Sequence, residues 1–171
     1  MSTSDKNLSQ FDKSKVPDAS PFHIGIVVAE WNSEITEALY EGAFFALSEC
    51  GAEKEHIIRL NVPGSFELTS GAKFLVENEK LNAIICLGCV IQGETRHFEF
   101  ICNAVSQGLT LLAVRYSIPF IFGVLTTDNQ EQAKDRAGGK HGNKGIEAAI
   151  TAIKMASLKN QFKKGKQIGF R

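Results

Sequence analysis

The sequence predicts an α/β fold in which helices cover both faces of a central four-stranded parallel sheet, a three-layer αβα sandwich. Three observations lead there. Four segments, Ile24 to Ala29, Ile57 to Val62, Ala83 to Ile91 and Pro119 to Leu125, are short and almost continuously apolar, as strands buried on both faces are. Each is followed by a stretch whose apolar residues recur every three or four positions, the spacing of a helix with one buried side. The two patterns alternate along the chain, and parallel strands need such crossovers to connect them.

Taken in order, the first strand feeds a helix with Ile35, Leu39, Ala43, Ala46, Leu47 and Cys50 on one face. Asn32 or Ser33 can cap its start, Glu34 and Glu37 suit its positive end, and Gly51 closes it. Pro63-Gly64 closes the second strand, and Leu68, Ala72, Leu75 and Val76 mark the next helix. The third strand leads to a helix carrying Phe98, Ile101, Cys102, Val105 and Leu109. After the fourth, Asp128 and Glu131 have the spacing of a capping box for a short helix to Arg136. A glycine-rich segment, Gly138 to Gly145, interrupts the pattern before a last helix with Ile146, Ala149, Ile150, Ile153 and Ala156. Residues 1–21, polar and containing Pro17 and Pro21, read as a flexible or loosely docked arm. Residues 22–158 form the folded domain, and 159–171 a basic, frayed tail.

A chain of 171 residues with 43% hydrophobic content suits one domain. Nineteen Lys and Arg balance nineteen Asp and Glu, so no net field attracts nucleic acid or an anionic membrane. No segment approaches the roughly 20 apolar residues of a membrane span, and the first residues lack the apolar core of a secretion signal. The chain reads as cytoplasmic. Cys50, Cys86, Cys89 and Cys102 lie in apolar segments, the habit of buried free thiols. Cys86-Leu87-Gly88-Cys89 matches C-x-x-C, but residues three apart on a strand face opposite ways. His23, His56, His97 and His141 lack the partner spacing of a ligand set, so no metal is expected.

Ligands of parallel sheets bind beyond the carboxyl ends of the strands. The turns there hold Trp31-Asn32, Gly64-Ser65-Phe66-Glu67, Gln92 to His97, and Thr126-Thr127-Asp128. Gly93-Glu94-Thr95-Arg96-His97 sits where a strand gives way to a helix, and unpaired N–H groups at such a junction attract anions. An imidazole, which can both donate and accept a proton, stands one step away. Trp31, the sole tryptophan, can stack on a planar ring, and Glu67 can accept hydrogen bonds from hydroxyls. Each also has a structural use: indole packing for Trp31, a favourable helix dipole for Glu67, a surface hydrogen bond for His97. Arg136 and Lys140 bracket Gly138-Gly139 and could reach a phosphate. The segment is no phosphate loop of the G-x-x-x-x-G-K-[ST] kind, since Asn143 follows Gly142 and no strand precedes it. Together the turns suit a small phosphorylated molecule and a polar, ring-containing one.

Several separated motifs, in one order between Phe22 and about Leu158, resemble a known family. They are Ala29-Glu30-Trp31-Asn32, Val62-Pro63-Gly64-Ser65-Phe66-Glu67, Gly88 through Phe98, Phe122-Gly123-Val124-Leu125-Thr126-Thr127, and Arg136-Ala137-Gly138 with Gly142-Asn143-Lys144-Gly145. The family is the 6,7-dimethyl-8-ribityllumazine synthases. The resemblance implies a flavodoxin-like fold and the condensation of 5-amino-6-(D-ribitylamino)uracil with 3,4-dihydroxy-2-butanone 4-phosphate, without metal or redox cofactor. It implies that Trp31 stacks on the pyrimidine, and that Ser65, Phe66 and Glu67 hold the ribityl chain. Val90 and Ile91 line the ring pocket, Gly93, Glu94 and Thr95 seat the phosphate, and His97 transfers protons. Asn32, Gly64, Cys89 and Lys144 join the implied substrate-binding positions. Phe122 and Arg136, an aromatic wall and a cation, would reach the site from a neighbouring subunit. The implied assembly is a homo-oligomer, a pentamer or an icosahedral shell of twelve pentamers, with riboflavin synthase as a further partner. Gln92 departs from the Arg or Lys common before the glycine, and the short link after Arg136 resembles shell-forming members.

Overall fold

The apolar runs pair side by side, and their alternating side chains build two cores at once. In the computed structural model, which describes residue 7 and residues 9–165, the strands are β1 (Ile24–Ala29), β2 (Ile57–Val62), β3 (Ala83–Ile91) and β4 (Phe120–Thr127). All pair in parallel, in the order β2-β1-β3-β4. Ile24, Ile26, Val28, Ile85, Leu87 and Cys89 face one core with α1 (Ser33–Glu49), α4 (Gln130–Arg136) and α5 (Lys144–Gly165). Val27, Ala29, Ile84, Cys86 and Val124 face the other with α2 (Leu68–Asn78) and α3 (His97–Arg115). The result is the flavodoxin-like three-layer sandwich, and Cys86 and Cys89 do fall on opposite faces.

Four details differ from the sequence reading. β4 runs on to Thr127 because β3 extends to Ile91, and Thr126 and Thr127 pair with Val90 and Ile91 rather than turning. Asn129, not Asp128, caps α4: its side chain accepts from the Gln132 N–H at 2.9 Å. The glycine-rich segment is a small antiparallel hairpin, β5 (Ala137–Gly139) and β6 (Gly142–Asn143), with positive φ at Gly138 and Gly142. The last helix starts at Lys144 and continues through Gly165, past the Lys159 where fraying was expected; residues 166–171 lie outside the described residues.

The amino-terminal segment is packed from Ser9 onward. Asp12 caps a 3-10 turn at Lys13–Lys15, Phe11 and Val16 lie against the core, and Ala19 is fully buried. The Ala19 N–H donates to the Cys50 carbonyl at 2.8 Å, and the Asn143 N–H donates to Ser9 Oγ at 2.9 Å. A few apolar anchors dispersed in a polar stretch leave no period to read, which is why this docking was not legible. The expectation for residues 1–6 and 8 lies outside the described residues.

Asn143 holds α5 against α1. Its Nδ2 donates to the Ala38 carbonyl at 2.8 Å, and its Oδ1 accepts from the Gly145 N–H at 2.8 Å. Close approach is possible because Gly145 has no side chain: a Cβ there would stand 1.9 Å from the Leu39 carbonyl oxygen.

Candidate active site

Where the strand order turns back, between β1 and β3, the connections leave in opposite directions and open a crevice at the carboxyl ends. A cleft of about 710 Å³ lies there, within the usual range for small-molecule sites. Trp31 and Asn32 come from the turn after β1, Pro63 to Glu67 from the turn after β2, Cys89, Val90 and Ile91 from the end of β3, and His97 and Ile101 from α3. The base is apolar. Ser65 packs against β3 closely enough that a Cβ at Gly88 would meet its Oγ at 2.7 Å.

Three polar side chains of the cleft, those of Ser65, Glu67 and His97, are uncommitted. Neither the Glu67 carboxylate nor the His97 imidazole is bonded to another described residue, and Ser65 Oγ is buried without a partner. Buried unsatisfied hydroxyls are uncommon and mark places where a ligand or water completes the set. Trp31 stands 72% exposed at the rim, with Phe66 also exposed. Gly93, Glu94 and Thr95 do not line the cleft; they lie in the turn that joins two residues that do, Ile91 and His97, and their N–H groups donate to no described residue, while Gln92 Nε2 donates to the Gly93 carbonyl at 2.7 Å. This exposed turn leads directly into His97, the first residue of α3.

Sequence reading missed Pro63 and Ile101 as lining residues. Ile101 lies four positions after His97, so a helix carrying that imidazole on its cleft side puts Ile101 there too. In the other direction, Thr126 to Asp128, Phe122, Arg136 and Lys144 do not line the cleft of this chain. β4 is an edge strand on the far side of β3, so its end does not reach the crevice over β1 and β2. Phe122 is exposed on that edge strand. Arg136 donates to the Gln132 carbonyl at 3.2 Å and has no carboxylate partner among the described residues, whereas Lys144 pairs with Glu147 at 2.7 Å.

Cys89 borders the cleft, yet burial pushes its thiol up to about 11. The thiolate is the nucleophile, so alkylation by iodoacetamide at pH 7 is expected to leave activity intact. The folded chain keeps this proton above pH 9.0, where the unfolded chain releases it, so the thiol's contribution to stability declines from about pH 9 to 11. Denaturant melts at pH 8 and pH 10.5, compared with those of Cys89→Ser, isolate that contribution.

Residues 21–160 match the sequence profile of the family described as 6,7-dimethyl-8-ribityllumazine synthase. This chain belongs to that family. The lumazine synthase of Cytophaga hutchinsonii is 63% identical over 155 residues, covering 91% of this chain and 97% of its own. Those of Parabacteroides distasonis and Christiangramia forsetii are each 57% identical, over 92% and 95% of this chain and 99% and 98% of their own. Among the described residues no helix is long and apolar enough to cross a membrane.

Proposed function

We propose that this chain is a lumazine synthase that condenses 5-amino-6-(D-ribitylamino)uracil with 3,4-dihydroxy-2-butanone 4-phosphate, releasing phosphate and water. This is the penultimate step of riboflavin biosynthesis, carried out in the cytoplasm. One observation carries the reading: a single cleft gathers an exposed indole, an unpaired carboxylate and an imidazole, beside a turn whose N–H groups are free. The indole suits the pyrimidine, the carboxylate suits ribityl hydroxyls, and the turn suits phosphate. The uracil amine attacks the ketone and a first water leaves to give a Schiff base, phosphate leaves, and ring closure with loss of a second water completes the lumazine. His97 relays protons. Orienting two bound reactants contributes more than a single proton-transfer group can. Incubation with both substrates is expected to produce lumazine fluorescence; its absence with folded protein overturns the reading.

Two features support an assembly in which neighbours complete the cleft. Phe122 and Arg136 lie outside it on this chain, and α3 shows solvent an apolar stripe of Phe100 (63% exposed), Leu111 (69%) and Val114 (82%). With Ala104 and Gln107 these follow steps of four and three, the repeat of helices that pack on copies of themselves. We read the assembly as a pentamer, with a shell of twelve pentamers as its larger form and riboflavin synthase as a candidate cargo. Mass from ultracentrifugation separates five subunits from sixty. Co-assembling inactive Trp31→Ala and Arg136→Ala chains is expected to restore part of the activity, because some interfaces recover both groups. Mixed oligomers without rescue would refute a shared site.

A further inference from the structure

Asn32 is the only non-glycine residue with positive φ among the described residues, at φ 61° and ψ 45°. This left-handed backbone crowds an L side chain, and asparagine tolerates it better than most. Such conformations persist where their surroundings over-determine them. Here the surroundings can be named. Asn32 Nδ2 donates to the Cys89 carbonyl at 2.9 Å, two residues beyond Leu87, where pairing between β1 and β3 ends. The Asn32 carbonyl accepts from the N–H groups of Ile35 and Thr36 and so begins α1, while its side chain makes no cap bond. Just before it, the Glu30 N–H donates to the Val62 carbonyl at 2.8 Å and the Trp31 N–H to the Pro63 carbonyl at 3.1 Å.

The turn is thus tied to β2 by backbone alone and to β3 by one side chain. Trp31 is 72% exposed and has no ring contact with another described residue, so the turn that carries it constrains its direction more than burial of the indole does. We propose that Asn32 is a positioning residue, a latch whose left-handed backbone and bond to Cys89 hold the Trp31 indole at the mouth of the cleft. The proposal deepens the functional reading and rests on it for one point, that Trp31 stacks on the ring of the uracil substrate.

Three variants separate the latch's two parts. Asn32→Gly keeps the backbone conformation and removes the tether, Asn32→Asp keeps the shape and removes the donor, and Asn32→Ala removes both. Trp31 is the only tryptophan, so its emission reports on the turn without any ligand. In all three, emission anisotropy is expected to fall and acrylamide quenching to rise, most in Asn32→Ala. In that variant KM for the ribitylaminouracil is expected to rise about tenfold while kcat changes less than about threefold. Wild-type emission together with wild-type KM in Asn32→Ala overturns the latch. So does a kcat loss with unchanged emission, which would put Asn32 in the chemistry itself. If Asn32→Ala does not fold, Asn32→Gly, free of backbone strain, decides on the same readouts. Altered emission in the variants, with no uracil binding by the wild type, would leave the latch standing and remove the functional reading instead.

Discussion

Gly145→Ala is expected to destabilise the fold by about 3 kcal/mol, lowering the melting temperature by roughly 10 °C at fixed protein concentration. The added Cβ would lie 1.9 Å from the Leu39 carbonyl oxygen and 2.7 Å from the carbonyl carbon. Both are backbone atoms inside α1, so no side-chain rotation relieves the contact. α5 must move away, and this breaks the Asn143 Nδ2 bond to the Ala38 carbonyl that ties it to α1. An orphaned buried amide adds its desolvation cost to the steric one. Gly93→Ala is the control. Nothing lies within 4 Å of a Cβ there, so its stability is expected to change by less than about 0.5 kcal/mol. Equal melting of Gly145→Ala and wild type would show that the close crossing of α1 and α5 is not needed.

Arg136→Ala is expected to harm catalysis more than His97→Ala. The His97 imidazole is exposed at the edge of the cleft and held by no partner among the described residues, so water can take over part of the proton transfer proposed for it. Its removal is expected to slow turnover on the order of 10²-fold and leave it measurable. Arg136 brings a cation that no carboxylate among the described residues neutralises, and Gln132 engages only its Nη1. With Arg136 as the cation that a neighbouring subunit is proposed to bring to the phosphate, its removal is expected to lower kcat/KM on the order of 10³-fold, chiefly through KM for the butanone phosphate. Steady-state assays at saturating uracil substrate distinguish the two. The reverse order would mean that the free N–H groups of Gly93 to Thr95 suffice for the phosphate and that proton transfer limits the reaction.

How much of this could be read beforehand varied with the range of the interaction. The strands were legible because burial on both faces demands near-continuous apolar residues, a local signal that Ile24 to Ala29 and Ala83 to Ile91 carry in full. The cleft residues at three turns were legible because parallel connectivity sends every ligand-facing loop to the same end of the sheet. The cap at Asn129 was missed by one residue, since Asp128 has an equally good capping side chain and only the chain's path chooses between them. Thr126 and Thr127 look like turn hydroxyls until the length of β3 is known.

By itself, then, the order of residues determined the layers, the strand-to-helix alternation and the set of chemical groups at the strand ends. Those follow from periodicity, which acts over a few residues at a time, and from the crossovers that parallel strands need. Only the tertiary structure decided which of those groups share one cleft, that Asn32 turns its side chain to Cys89 instead of capping its own helix, and that the amino-terminal segment is tied to Asn143. Each of these joins residues far apart in the chain, as Asn32 and Cys89 are, and such pairings depend on how packed elements meet in space, which no local pattern encodes.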